Sequence, residues 1–389
     1  MWQDMLEVVD QQILISDGDH LVAYNFEAAD LLANQLVDID GAQSRYATVL
    51  DLEQTHQGAR AALEEHTLNP DAMSRACEIL EPIYASEGNF DALAALYERR
   101  IEASGGEDLE LFQTLAHLHE DSRNDVPMAF ATWSRVIALE PQDEAIQAQV
   151  ERVTASLGNW QELVALYEKI LSASSDPLVE SRYATRLGVL YEDNVGDLSK
   201  SAEAFERALQ VGDDEQAALG ALARVYERDA KYNELADTYK RQSDVMMDET
   251  VQANLLFMLG DVRENRLDSI GDAIESYRMV LERDPSHAGG RGALERLLSN
   301  EDERASIIAI LEPLYENDGD SARLATLLRT KVSTVDDGFE RAQIYARVTE
   351  IYEQDLGDLT SALDAVGGWL AEDAMSDDAL AKLLSLGGS

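Results

Sequence analysis

Residues 187–209 have the sequence LGVLYEDNVGDLSKSAEAFERAL, and the same pattern recurs at 115–137 and at 259–281. The earlier copy is LAHLHEDSRNDVPMAFATWSRVI, and the later copy is LGDVRENRLDSIGDAIESYRMVL. One aromatic slot is filled in the three copies by Trp133, Phe205 and Tyr277, which are evenly spaced. We call this constant spacing the repeat period. A fixed period of this kind predicts stacked supersecondary units, each touching its neighbours, and not one chain folded around a central core.

Each repeat period, of about 72 residues, contains two predicted helix pairs, about 36 residues per pair. In the middle copy, Tyr183, Leu187 and Tyr191 recur at helical spacing and predict one apolar stripe on a first helix. Gly196 interrupts that stripe, and a second helix with Phe205 on its inner face follows. The rest of the chain shows the same alternation, so we expect it to be almost entirely helical.

Two repeats are longer than the others. The aromatic slot continues outward to Tyr46 and to Val366, and both of these steps exceed the repeat period. The sequence LEPIY at 80–84 recurs as LEPLY at 311–315, and the same offset, called here the long shift, relates His56 to His287. The sequence therefore predicts an order of long, short and short repeats, in which each long repeat adds one helix before a proline-containing one. We expect both histidines to be structural, because they share this slot.

Glycine marks several predicted turns between helices. Gly88, Gly158 and Gly319 stand where a helix is expected to end in a left-handed residue. Ala230 occupies the same slot, and since alanine tolerates that conformation less well, we expect a less sharp turn there.

These residues resemble the tetratricopeptide repeat, which has Leu-Gly-x-x-Tyr in its first helix and a small residue and an aromatic in its second. Leu187, Gly188 and Tyr191 followed by Ser201 and Phe205 match that pattern. The resemblance covers nearly the whole chain and implies an all-α, right-handed α-solenoid of about 20–22 antiparallel helices in pairs. Large bacterial proteins contain similar acidic arrays, so it also favours a bacterial source.

The sequence predicts a single continuous solenoid, and the boundaries of its repeats can be placed along the chain. The segments are a long repeat at about 18–104, short repeats at about 105–175 and 176–247, a long repeat at about 248–334, a last partial repeat at 335–386, and 387–389, which resembles the scar of a cloning linker. The slot analysis makes residues near Leu6–Ile15 the second helix of a pair. Since repeat arrays normally finish with polar caps, we expect a fragment of a longer array with uncapped ends.

Charge limits the classes of partner. The 389 residues include 76 Asp and Glu against 31 Lys and Arg, a net charge of −45. So acidic a surface repels phosphate backbones and anionic membranes, which argues against nucleic-acid and membrane binding. A protein or peptide partner that is basic, or that makes apolar contacts, is expected.

No motif predicts catalysis, a cofactor or a metal site. Cys77 is the only cysteine and is expected to be a buried apolar residue. His117 and His119 are separated by a single residue and point to different sides of a helix, so they do not form a metal-binding pair. No signal peptide or membrane span is evident, which leaves the compartment open, with a soluble cytoplasmic protein slightly favoured.

The resemblance implies that first helices line a concave groove. Residues expected to project into it are Gln113, His117, Arg152, Arg186, Val189, Arg224, Asn254, Phe257, Asp261 and Glu350. The three arginines could clamp a carboxylate of a bound peptide. The alternative is that nearby carboxylates such as Glu151 or Glu227 neutralise them.

Three functional hypotheses follow. The leading one is a non-enzymatic scaffold that binds a protein or peptide partner along the groove. The second is a structural segment that self-associates end to end into a filament or lattice through exposed ends. The third, and weakest, is the regulatory arm of an enzyme whose catalytic domain lies outside these residues.

Overall fold

The computed structural model describes residues 1–212 and 214–387. Within these ranges every regular element is helical, with 22 α-helices and no strand. This confirms the predicted all-α class and number of helices. None of the described helices is both long enough and apolar enough to span a membrane.

The chain forms two compact units, Met1–Val179 and Glu180–Ser389, called here the N-terminal and C-terminal units. The first ten helices are α1 Trp2–Ile15, α2 Gly18–Leu31, α3 Ile39–Leu52, α4 Gln57–His66, α5 Pro70–Glu87, α6 Phe90–Ala103, α7 Leu109–His117, α8 Val126–Leu139, α9 Glu144–Leu157 and α10 Trp160–Ala173. The next are α11 Pro177–Leu190, α12 Leu198–Val211, α13 Glu215–Arg228, α14 Tyr232–Val245, α15 Glu249–Asn265, α16 Ile270–Arg283, α17 Ala288–Leu297, α18 Arg304–Asp318, α19 Ser321–Lys331, α20 Gly338–Glu350, α21 Leu359–Glu372 and α22 Asp377–Gly387. Gly388 and Ser389 of the predicted scar lie outside the described residues.

Several helices end in a short turn of different pitch. A π-helical turn follows four first helices, at Leu32–Leu36, Leu118–Ser122, Tyr191–Val195 and Ile351–Asp355, and a 3₁₀ turn follows α19 at Val332–Thr334. A π turn inserts one residue into the helical register. Each of these four first helices therefore has one additional residue in its last turn.

The long repeats contain the extra helix that the sequence predicts. It is α4 in the first and α17 in the second, and each immediately precedes a helix with an internal proline, Pro82 in α5 and Pro313 in α18. Both long repeats therefore contain an additional helix directly before the proline-containing one.

Helix pairs close tightly because a small residue faces each large aromatic. Phe205 and Tyr277 are 1 % and 0 % exposed. A Cβ added to Gly188 would lie 2.7 Å from the Phe205 ring, and one added to Gly260 would lie 2.4 Å from Tyr277. Real Cβ contacts are longer than this, so the glycine permits the approach of the two helices.

Both histidines related by the long shift are helix caps. The Nδ1 of His56 accepts a hydrogen bond from the Ala59 N–H at 3.1 Å, and the Nδ1 of His287 accepts one from Gly290 at 3.0 Å. Each cap satisfies a backbone donor that the first turn of a helix leaves unpaired. The structural role expected for His56 and His287 is therefore present at the starts of α4 and α17.

The turn at Ala230 differs from the expectation. Ala230 has a φ of +55°, close to the +68° of Gly88. The hydrogen bonds also match: Lys231 donates to Tyr226 at 2.9 Å, as Asn89 donates to Tyr84 at 2.9 Å. The prediction of a less sharp turn was wrong, because packing of the flanking helices imposes the left-handed conformation on alanine despite its cost of about 1 kcal/mol.

Candidate functional site

The ten predicted groove residues all lie on first helices. Those in the N-terminal unit are Gln113 and His117 on α7 and Arg152 on α9. Those in the C-terminal unit are Arg186 and Val189 on α11, Arg224 on α13, Asn254, Phe257 and Asp261 on α15, and Glu350 on α20. Eight are exposed, whereas Gln113 and Phe257 are half-buried.

Phe257 contributes to packing. Its ring centroid lies 5.8 Å from that of Tyr277 and 5.3 Å from that of His287, and the Asn254 side chain contacts the same histidine. Phe257 and Asn254 of the predicted α15 surface therefore pack against the start of α17.

Two of the predicted residues meet in one cavity. Val189 and Arg224 line a pocket of about 260 Å³ between α11 and α13 in the C-terminal unit. Thr185 of α11 and Ala217 and Ala221 of α13 line the same pocket. The pocket exists because the exposed face of α13 carries alanines, whose short side chains leave room between neighbouring helices.

A buried carboxylate lies next to this pocket. Glu192, in the π turn after α11, is 2 % exposed. The Arg224 Nε donates to its Oε1 at 2.8 Å and the Arg224 Nη2 to its Oε2 at 2.7 Å. The Arg228 Nη1 donates to Oε1 at 2.7 Å. Hydrogen bonds from Arg224, and then from Arg228, hold the pKa of Glu192 below its usual range, although burial opposes them.

The same pair recurs at the repeat period. In the N-terminal unit, Arg152 of α9 holds Glu120, with one Nη2–Oε2 distance of 2.7 Å. In the C-terminal unit, Arg296 of α17 holds Glu264, with Nη2 at 2.7 and 2.8 Å from its two carboxylate oxygens. All three arginines follow their glutamates by the same sequence separation, 32, so each pair joins the end of a first helix to the next helix but one along the chain.

Sequence reasoning found two of these arginines and missed Arg296, although it stands one repeat period after Arg224. The carboxylates expected to neutralise Arg152 and Arg224 were Glu151 and Glu227, whereas the structure pairs the two arginines with Glu120 and Glu192. Glu151 is adjacent to Arg152 in sequence and therefore points to a different side of α9, whereas Glu120 and Glu192 stand at the end of the preceding first helix, within reach of the arginines.

The chemical capacity of this surface is recognition. The α11–α13 pocket combines small aliphatic walls with a neutralised ion pair at its edge, which suits an inserted apolar side chain. Among the described residues, no group of three or more His, Cys, Asp or Glu side chains is placed to hold a metal ion.

Comparisons with known proteins agree with the helix pairs. Residues 218–253, which include most of α13 and all of α14, match the tetratricopeptide repeat family. Transcription factor tau subunit sfc4 of Schizosaccharomyces pombe is 23 % identical over 175 residues, which are 44 % of this chain and 17 % of that protein. The chain thus spans about a sixth of the length of this curated relative.

The chain also has similarity to solved structures of tetratricopeptide repeat proteins. YrrB, described as a TPR protein with an unusual peptide-binding site, is 16 % identical, with 52 % of this chain and 99 % of that chain covered and a TM-score of 0.31. A tetratricopeptide repeat protein from Parabacteroides merdae is 15 % identical, with 72 % and 99 % covered and a TM-score of 0.29.

Proposed function

Because this chain is a tetratricopeptide-like helical repeat protein, we propose that it is a non-enzymatic scaffold that binds a protein or peptide partner on the exposed surface of its first helices. The observation that carries the proposal is the α11–α13 pocket, where Val189 and Arg224 meet beside the buried Glu192. An aliphatic or aromatic side chain of the partner enters this pocket, and the other predicted first-helix residues of the C-terminal unit extend the contact surface.

The net charge of −45 selects the class of partner. A basic segment reaches the surface faster and binds it more tightly than an acidic one, because the opposite charges attract over about 10 Å at moderate salt. The paired arginines do not reverse this preference, since Glu192 and Glu120 already neutralise Arg224 and Arg152.

A displayed peptide library selected on the full chain tests the proposal. We expect the enriched peptides to carry an aliphatic or aromatic residue next to Lys or Arg. Ala217→Phe fills the pocket from an exposed position on α13, and should weaken binding of an enriched peptide at least about tenfold. Ala138→Phe, an exposed alanine on α8, is the matched control and should leave the affinity unchanged.

Two results would count against the proposal. Equal affinities of the two variants for every enriched peptide would exclude the pocket as the binding site. An affinity that stays constant between about 50 and 500 mM salt would exclude a charge-selected partner.

A second candidate function, end-to-end self-association, is favoured by apolar stripes on α1 and α22. Exposed apolar residues recur on each helix at three- to four-residue spacing, as Trp2, Met5 and Val8 on α1 and as Leu380, Leu383 and Leu384 on α22. Light scattering over a hundredfold range of dilution tests it. A molecular mass that increases with concentration in the wild type, but not in Val8→Glu, supports assembly. A mass that stays at the monomer value at every concentration contradicts it.

A further inference from the structure

A second kind of pocket lies beside the helix prolines and occurs twice. In the N-terminal unit, a pocket of about 440 Å³ between the end of α3 and α5 is lined by Leu50, Asp51, Glu78, Ile79, Pro82 and Ile83. In the C-terminal unit, a pocket of about 240 Å³ between α16 and α18 is lined at the positions related by the long shift, which are Leu281, Glu282, Ala309, Ile310, Pro313 and Leu314. We call them the Pro82 pocket and the Pro313 pocket.

The prolines give both pockets the same chemistry. Because proline has no N–H, Pro82 cannot donate to the carbonyl of Glu78, and Pro313 cannot donate to that of Ala309. Glu78 and Ala309 line their respective pockets. Each pocket therefore combines aliphatic walls with a carbonyl group that its proline leaves without the usual helical donor.

The two pockets differ in charge. Arg278 lines the Pro313 pocket and forms ion pairs with Glu282 and Glu275. The long shift relates it to Ala47 of the Pro82 pocket. Within residues 1–212 and 214–387, neither Asp51 nor Glu78 forms an ion pair, and both are exposed. The Pro82 pocket is thus larger and carries two unneutralised carboxylates.

We propose that the Pro82 pocket is a second docking site, which binds an aliphatic side chain of a basic partner segment whose next residues are Lys or Arg. The aliphatic group packs against Leu50, Ile79 and Ile83, and the cation pairs with Asp51 and Glu78. The Pro313 pocket takes the same aliphatic group more weakly, because Arg278 occupies part of the space and neutralises Glu282.

This site is separate from the α11–α13 pocket of the proposed function. Its residues belong to α3 and α5, and the two pockets share no lining residue.

Isoleucine-methyl NMR spectra of the full chain provide the test, since Ile79 and Ile83 report on one pocket and Ile310 on the other. The probe is the peptide acetyl-Ala-Leu-Lys-Lys-Ala-amide, and its control is acetyl-Ala-Leu-Glu-Glu-Ala-amide. We expect the lysine peptide to shift the Ile79 signal saturably, with a weaker response at Ile310. The glutamate peptide should leave both signals in place.

An exchange of residues between the pockets gives a matched pair of variants. Ala47→Arg places the guanidinium of the Pro313 pocket beside Asp51, and should weaken the Ile79 response about five- to tenfold. Arg278→Ala frees Glu282 and enlarges the other pocket, and should strengthen the Ile310 response by a similar factor. Because the second variant gains binding, misfolding cannot mimic its effect.

A charge-matched control separates local from general attraction. Asp51→Asn with Glu78→Gln removes two carboxylates at the pocket, whereas Glu102→Gln with Asp237→Asn removes two exposed ones elsewhere. The proposal would be overturned if the two double variants reduced the Ile79 response equally, or if the two peptides gave equal responses. An Ile310 response that is unchanged in Arg278→Ala would also overturn it. Ala217→Phe, which fills the α11–α13 pocket, should not change the Ile79 response. The proposed second site and the proposed function can therefore be disproved separately.

Discussion

Arg224 on α13 holds Glu192, at the end of α11, with two hydrogen bonds of 2.8 and 2.7 Å, although Glu192 is almost completely buried. Arg228 donates a third. A buried carboxylate is costly unless it is paired and hydrogen-bonded, so the two guanidinium groups are required by the position of Glu192. The pair thereby fixes the spacing of two successive first helices.

Removing the arginine should therefore destabilise the C-terminal unit. We expect Arg224→Met to lower the free energy of unfolding by about 1–2 kcal/mol, because Arg228 still pairs with Glu192, and Arg224→Met with Arg228→Met to lower it by about 3 kcal/mol. Urea unfolding followed by circular dichroism measures both. Arg241→Met, which removes a looser surface pair with Glu206, is the control and should cost less than about 0.5 kcal/mol.

The contribution of Glu192 should depend on pH. Its pKa is lowered in the folded chain, so the pair stabilises fully above the pKa of an unfolded glutamate, about 4.3, and loses its effect as the pH falls through the folded value. We expect the stability difference between the wild type and Glu192→Gln to be about 1–2 kcal/mol at pH 7 and to narrow at about pH 3. Urea unfolding midpoints of both proteins at the two pH values measure this difference. An equal difference at pH 7 and pH 3 would show that the charge of Glu192 contributes nothing to stability.

Helix glycines should divide into two classes. Gly260→Ala would place a methyl group against the Tyr277 ring, so we expect a loss of about 1–3 kcal/mol. Gly292, inside α17, has open space around its Cβ position, and Gly292→Ala should instead stabilise by about 0.5–1 kcal/mol. Thermal unfolding of the two variants distinguishes them by sign. A melting temperature that changes in the same direction for both would contradict the close approach seen at Gly260.

The turn at Ala230 offers a stabilising substitution. The left-handed φ of +55° costs alanine about 1 kcal/mol of conformational free energy, a cost that glycine does not have. Glycine also has more conformational entropy than alanine in the unfolded chain, which offsets part of this gain. Ala230→Gly should therefore stabilise the protein by about 0.5 kcal/mol. Gly158→Ala is the reciprocal control, and should destabilise, since Gly158 has a φ of +69°. Urea midpoints of both variants measure the difference.

The helix pairs were predictable because their signal is repeated. One copy of the Leu-Gly-x-x-Tyr pattern is weak, but Phe205 and Tyr277 in one slot make the period visible, and the long shift located the extra helices α4 and α17. Burial of the aromatic slot follows from that period, since the large ring that occurs once in each period has to be covered by neighbouring helices.

The partners of the arginines were not predictable from one helix alone. Arg152 and Arg224 were selected as scarce cations on first helices, but the identity of Glu120 and Glu192 depends on which residues the adjacent first helix presents. The repeat period would nevertheless have indicated Arg296.

The histidine caps give the two extra helices, α4 and α17, a different chemistry at their starts from helices that are capped by aspartate. An imidazole accepts at Nδ1 only while that nitrogen has a free lone pair, so the bonds to Ala59 and Gly290 fix the tautomer of His56 and His287 with hydrogen on Nε2. An aspartate cap such as Asp197, at the start of α12, accepts through a carboxylate oxygen instead of a ring nitrogen. The long repeats therefore differ from the short ones in the chemistry of a helix start as well as in length.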